Sequence, residues 1–457
     1  MTKGKILLVS YHFYPSREVG AKRPSETALH LMRSGYDVTV LRGFEPSFEA
    51  LASPSSLEGL DVVSVTIPKK ALTALWIKLK TRIRGEKRAA ASDGMWTTGG
   101  TGGARAPKLT LLGWLRRQVL AWDTLFQGNK RWLLKSVLKL VVQTRGTRFD
   151  LVIASGPPMV SYIGGWALAV LKRARLILDY RDPWYVHGDP ELSTVMLGHP
   201  LANFENRLAR TCAQRCSVLV AASPGTRRHI LEHFDVSPER VDLVRNGFDE
   251  HAVVDAPPPK GRLEILYAGS LYWNRNPFPF LEALYAVLAD GALKRNAIRC
   301  RLVGNCEEWK GVPLRPWIAA KSMRDVIEIV PFMSPAELRD VVAGSNVLVN
   351  FAQGQKRQIP AKSYDYIAAR RDVLVITEPD SDVADLFREA GVGTIVAPDD
   401  TAGFAAAIKS LYAKHVDGAV PSRAAPNHAV RPYSRAAQLE LFTKIVARVL
   451  EDADTSS

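Results

Sequence analysis

The feature that most constrains this chain is a rhythm that runs twice. Short apolar runs alternate with helical runs from Lys5 to Asp249, pause, and begin again at Leu263. In the first half, "KILLVS", "GYDVTVL", "LDVVSVTI", "FDLVIASGPP", "ARLILDY", "CSVLVAAS" and "RVDLVRNGFD" read as strands. A run from Ser25 to Arg33 and the stretch "SYIGGWALAVLK" read as helices among them. Runs of Val, Ile and Leu without polar alternation are buried on both faces. Their alternation with helices makes the sheet parallel. The second half repeats the scheme with "LEILYAGSL", a helix over Pro279–Leu288, "IRCRLVGN", "VIEIVPF", a helix from Pro335, "NVLVNFA", "IPAKSYDYIAARRDVLVI" and "GTIVAPDD". The pause "EHAVVDAPPPKGR" holds a proline run that suits a stiff linker. The expectation is an α/β chain of two doubly wound halves. Residues 1–250 form the first, 251–262 link, 263–430 form the second, and 431–457 form an amphipathic helix and polar tail. Ligands of such sheets sit beyond the carboxyl ends of the strands, so the natural site is the cleft between the halves.

Charge is concentrated in one place. The whole chain carries +15, and residues 69–148 alone hold eighteen Lys/Arg against three acids, the same balance. Trp76, Trp96, Trp114, Trp122 and Trp132, half of the chain's ten tryptophans, lie in this segment. Its stretches "KKALTALWIKLKTRIR" and "WLLKSVLKLVVQ" mix apolar and basic residues at helical spacing, around a Gly/Thr-rich loop "SDGMWTTGGTGGARAP". Such helices lie on an anionic membrane surface, or else cover core with lysine stems. The four cysteines, Cys212, Cys216, Cys300 and Cys306, read as buried reduced thiols without metal-ligand spacing. No apolar run approaches the roughly 20 residues of a spanning helix, and no signal peptide fits. The expected location is cytoplasmic, with peripheral contact at the inner face of the membrane.

Chemistry-bearing residues collect at the predicted strand ends. "VGAKRP" places Gly20 where the first loop meets a helix, and a missing Cβ admits close backbone approach. "DYRDPWY" puts Arg181 and Asp182 at a carboxyl edge, either as a structural ion pair or as a pair meeting a sugar or acceptor. "YAGSLYWNRNP" puts Gly269 and Ser270 at a strand end and Arg275 beyond it, and a guanidinium can clamp two phosphate oxygens. In "IPAKSYDYIAARRDVLVI", Pro360 starts a helix whose first residues, Ala361, Lys362 and Ser363, turn N–H groups toward an anion. No GxGxxG fingerprint supports a nicotinamide.

Taken in order, these stretches, with "VRNGFD", "REAGVGTIVAPDD" and "YSR", resemble the GT-B glycosyltransferases, two Rossmann-like domains facing across a cleft, and among them glycosyltransferase family 4. The resemblance spans nearly the whole chain. It implies transfer of a sugar from a nucleotide-sugar donor, held mainly by the C-terminal domain, to an acceptor held mainly by the N-terminal one. It further implies retention of configuration, no metal and no cofactor, and a role in cell-surface polysaccharide or lipid-linked glycan synthesis. By position, Gly20 belongs near the donor sugar and phosphate. Arg275 stands where the family usually has a phosphate-binding Lys, and Ser270 where it often has an Arg. Asp365 matches the second acid of the family's paired acids, which takes the ribose hydroxyls. Arg357 stands where the first acid belongs, and Lys356 beside it is offered to a diphosphate or charged sugar. Phe332, within Pro331–Met333, falls at the backbone that touches the base. Asp182 is the candidate general base.

Two other readings remain open at this point. A nucleotide-sugar epimerase on the same fold needs a donor and no acceptor. A non-catalytic module would use the basic segment on a membrane or on nucleic acid, although no nucleic-acid motif is present.

Overall fold

A computed structural model of the chain describes residues 2–16, 18–44, 57–67, 129–183, 202–254, 256–272, 274–418 and 430–454. The stretch "KKALTALWIKLKTRIR", the Gly/Thr-rich loop and four of the five tryptophans of the basic segment lie outside these residues.

The chain divides into two units. The first is built on a seven-stranded sheet: β1 (Lys5–Ser10), β2 (Asp37–Phe44), β3 (Asp61–Thr66), β4 (Leu151–Gly156), β5 (Arg175–Tyr180), β6 (Val218–Ala221) and β7 (Val241–Leu243). Their order is β3-β2-β1-β4-β5-β6-β7, with every ladder parallel. The order reverses between β1 and β4, the switch point at which such sheets open a crevice. The strands form where the apolar runs are: Ile6, Leu7, Leu8 and Val9 are all fully buried.

The second unit carries β8 (Leu263–Ala268), β9 (Ile298–Val303), a two-residue hairpin of β10 (Glu308–Trp309) and β11 (Val312–Pro313), then β12 (Ile327–Val330), β13 (Val347–Phe351), β14 (Asp372–Ile376) and β15 (Thr394–Val396). Its main sheet runs β12-β9-β8-β13-β14-β15, again parallel. Alternate residues feed opposite cores. Ile265, Tyr267, Val347 and Val349 pack on one face, and Leu266 and Leu348 on the other. That is why β8 and β13 read as near-continuous apolar runs.

Helix ends follow local chemistry. Ser334 and Glu337 form a reciprocal cap at the start of helix Pro335–Ala343. Ser381 caps helix Asp382–Ala390, which stops at Gly391 in the left-handed region. The stretch read as a stiff linker is fastened to the second unit. Asn346 donates to the Pro259 carbonyl at 2.7 Å, and Arg371 donates to the Ala256 carbonyl at 2.8 Å. The closing helix, Arg435–Asp454, counts with the first unit from Phe442 onward. There Arg175 donates to the Val449 carbonyl at 3.0 Å, and Arg448 pairs with Asp242.

Candidate functional site

In the second unit, β8 ends in a turn whose backbone does most of the shaping. Gly269 adopts φ +147°, and its carbonyl lies so close to Gly304 that a Cβ there would collide with it. Gly304 follows β9 at φ +115°. The two strand ends therefore meet as bare backbone. The Cys306 thiol donates to the same Gly269 carbonyl at 3.3 Å.

Against this turn lie two cations. Lys362, the second residue of helix Ala361–Ala368, is drawn inward, with its ammonium 4.1 Å from the centre of the Tyr267 ring. Its Nζ is buried and has no hydrogen-bond partner among the described residues. Burial, and Arg275 beside it, hold its pKa well below the usual lysine value. Arg275 is itself buried, stacked 4.2 Å from the centre of the Tyr272 ring, with an unpartnered Nε. Neither cation forms an ion pair among the described residues. Buried charges are ordinarily paired, so two adjacent cations without a carboxylate mark a place prepared for an anion. The unpartnered side-chain oxygens of Asn350 and Gln353, near the carboxyl end of β13, show that this edge holds further unsatisfied polar groups.

Not every expected contact is arranged as the sequence implied. Ser363 turns away: its side chain is fully buried and accepts from Asn350, and its N–H donates to the Pro360 carbonyl at 2.9 Å. It is a packing residue, and the N–H groups the helix start leaves open are those of Ala361 and Lys362. Pro360 itself has no N–H. Lys356 pairs with Asp380 at 2.7 Å on the surface and not with the Gly269 turn. Arg357 has its carbonyl held by Ser223 at 2.8 Å. Ser270 contributes its carbonyl, which accepts from the Tyr267 hydroxyl at 2.8 Å and from Arg275 Nη1 at 3.5 Å. Phe332 stands 72% exposed beyond β12, and its ring is the nearest side chain to Gly304. Asp365 lies half-buried on the same short helix as Lys362.

In the first unit, the edge at β1, β4 and β5 is organised from within. Arg181 donates to three backbone carbonyls, those of Gly156, Pro157 and Gly20. A Cβ at Gly20 would sit 2.8 Å from its guanidinium. Arg181 thus staples two loops together, a scaffold role in place of the outward one its position implied. Burial raises the pKa of Asp182, which suits a group asked to take a proton.

Two features here escaped the sequence reading. Arg23, inside the quoted "VGAKRP", forms a buried forked pair with Asp179, the first residue of "DYRDPWY", at 2.7 Å. Ser155 donates to the same carboxylate at 2.8 Å. His12, just past β1, is held neutral, its pKa pushed down to about 4 by burial and by Arg181. Trp132, counted with the basic segment, is a core residue packed edge-on to Tyr11. No cluster of three His, Cys, Asp or Glu residues able to hold a metal occurs among the described residues.

Comparison with known proteins adds a second, independent line. The family model described as Glycosyltransferase Family 4 matches residues 96–252, and that described as Glycosyl transferases group 1 matches residues 262–414. No curated protein sequence matches the chain. Among solved structures, Anabaena Alr3699/HepE in complex with UDP aligns with a TM-score of 0.60 at 12% identity, covering 97% of this chain and 100% of that one. Trehalose 6-phosphate synthase from Burkholderia multivorans aligns with a TM-score of 0.61 at 11% identity, covering 100% and 98%. The lipopolysaccharide outer core galactosyltransferase WaaB aligns with a TM-score of 0.56 at 11% identity, covering 97% and 99%. At such identities the structures speak for fold, and the two family models, met in order along the chain, speak for the chemistry. The chain is a GT-B-fold glycosyltransferase that resembles glycosyltransferase family 4.

Proposed function

We propose that the second unit binds a nucleoside-diphosphate sugar, and that its sugar passes to a hydroxyl of a glycan or lipid-linked acceptor in cell-surface polysaccharide synthesis. The observation that carries this is the pair Lys362 and Arg275, two buried cations with unpartnered nitrogens beside a backbone turn. A diphosphate fits them in charge, and the open N–H groups of Ala361 and Lys362 add neutral donors at a helix start. Asp365 is assigned to the ribose hydroxyls and Phe332 to the base. The UDP in the Alr3699/HepE structure and the galactosyltransferase activity in WaaB's description support the donor class and the pathway class.

When the glycosyl–phosphate bond breaks, negative charge grows on the leaving diphosphate. Lys362 and Arg275 oppose that charge in a site from which water is largely excluded, where fixed charges act most strongly. The acceptor side is assigned to the strand ends of the first unit. Neutral His12 there can accept or donate a hydrogen bond, and Asp182 is the base. Attack on the face the diphosphate leaves gives retention of configuration. The test is calorimetric titration of a panel of nucleotide sugars into wild type and Lys362→Met. Binding of one of them that the substitution weakens by roughly tenfold or more supports the assignment, and equal binding by both proteins overturns it.

A further inference from the structure

Helix Lys130–Gln143 packs through Trp132, Ser136 and Leu140, which are buried. Its other side is unusual. Leu134, Leu138 and Val142 are 72%, 68% and 65% exposed. Their spacing of four residues makes one continuous apolar stripe. Scattered exposed leucines need no explanation, but a stripe does.

The stripe continues onto a neighbour. Helix Val160–Lys172 packs against this one, and Lys172 donates to the Thr144 carbonyl at 2.6 Å, tying the two carboxyl ends together. At that end Val170 and Leu171 are also exposed, at 62% and 58%. The charges on these two helices share one sign. Arg131 and Lys135 are exposed and fall on the same side of the helix as the stripe, with Arg145 and Arg173 exposed near its end. Residues 129–149 contain no Asp or Glu. A partner protein's core would match the leucines without calling for a one-sign rim, whereas an anionic bilayer matches both.

We propose that this face, Leu134, Leu138 and Val142 rimmed by Arg131 and Lys135, seats the first unit in the surface of an anionic lipid bilayer. The leucines enter the acyl boundary and the basic groups lie among the headgroups, with the helix in the plane of the membrane. The occupant is a lipid surface, chosen by charge. The inference rests on the proposed reading only in that a lipid-linked acceptor gives the enzyme a reason to be there.

The test is sedimentation of the full chain with vesicles of phosphatidylglycerol and, separately, of phosphatidylcholine. Gel filtration and nucleotide-sugar calorimetry run beside it. Wild type is expected to sediment with phosphatidylglycerol and not with phosphatidylcholine. Leu134→Ser/Leu138→Ser and Arg131→Glu/Lys135→Glu are each expected to lose that binding with elution volume and donor affinity unchanged. The proposal fails if wild type ignores anionic vesicles, or if both double variants sediment as wild type does. It also fails if the leucine variant dissolves a dimer while vesicle binding persists, since the face then joins two copies. Loss of nucleotide binding in wild type would strike the donor assignment and leave the vesicle result standing.

Discussion

The ammonium of Lys362 rests on the face of Tyr267, 4.1 Å from the ring centre, with no carboxylate paired to it among the described residues. A cation over an aromatic face gains some attraction, on the order of 1–2 kcal/mol when desolvated. That falls short of the cost of burying it. Removing the charge should therefore have opposite effects on stability and on binding. Lys362→Met, similar in length and neutral, is expected to raise the melting temperature of the free protein. The same change should weaken nucleotide-sugar binding by roughly tenfold or more, the loss of one charge-assisted contact of about 1.5–3 kcal/mol. Thermal unfolding and calorimetry on one preparation check both signs.

The same group makes donor binding depend on pH. In the folded, empty protein Lys362 loses its proton well below the usual lysine value, whereas in the unfolded chain it keeps it. Between those two points the unfolded state binds more protons, so stability from this residue rises with pH and is lost as pH falls through the window. A bound diphosphate restores the proton. Nucleotide-sugar affinity should then fall as pH rises, and binding should take up a proton. Calorimetry in two buffers of different ionisation enthalpy reads that uptake directly, and equal heats in both would remove Lys362 from the diphosphate.

Arg23 and Asp179 offer a test of architecture in the first unit. Their side chains are only 8% and 2% exposed. Asp179→Asn removes the carboxylate of a buried forked ion pair, and the expected loss is about 3–5 kcal/mol. Chemical denaturation gives the number. Arg23→Met/Asp179→Asn together should recover part of it.

Gly304→Ala probes the bare backbone beneath the site. The position has φ +115°, and a Cβ there would meet the Gly269 carbonyl. The turn must shift, so the variant is expected to lose about 1–3 kcal/mol of stability and most of its nucleotide binding. A circular-dichroism melt and calorimetry check this. An alanine variant that binds as wild type does would place the diphosphate elsewhere.

The strand pattern was legible because a strand buried on both faces writes itself as an unbroken apolar run, as in Ile6–Val9 and Val347–Val349. The two-residue strands β10 and β11 are too short to show any period. At the site, strand ends pointed to the right loops but not to the directions of side chains within them. Arg181 and Arg23 look alike in sequence. One staples carbonyls and the other meets a carboxylate 156 positions away, a pairing no local pattern contains. Ser363 and Lys362 are adjacent on one helix, yet only the second reaches the turn, because one step around a helix is about 100°. His12 went unnoticed because its neutral state comes from burial, which spacing does not encode.

The closing helix has a consequence for how the enzyme is made. From Phe442 it completes the unit that begins at Met1, with Val449 and Arg448 bonded to Arg175 and Asp242. During synthesis the first half of the chain emerges early, yet one of its walls is translated only after the whole second unit. The N-terminal unit therefore waits, unfinished, until the closing helix has left the ribosome. A stop codon a few turns early would be felt as damage to the opposite end of the chain.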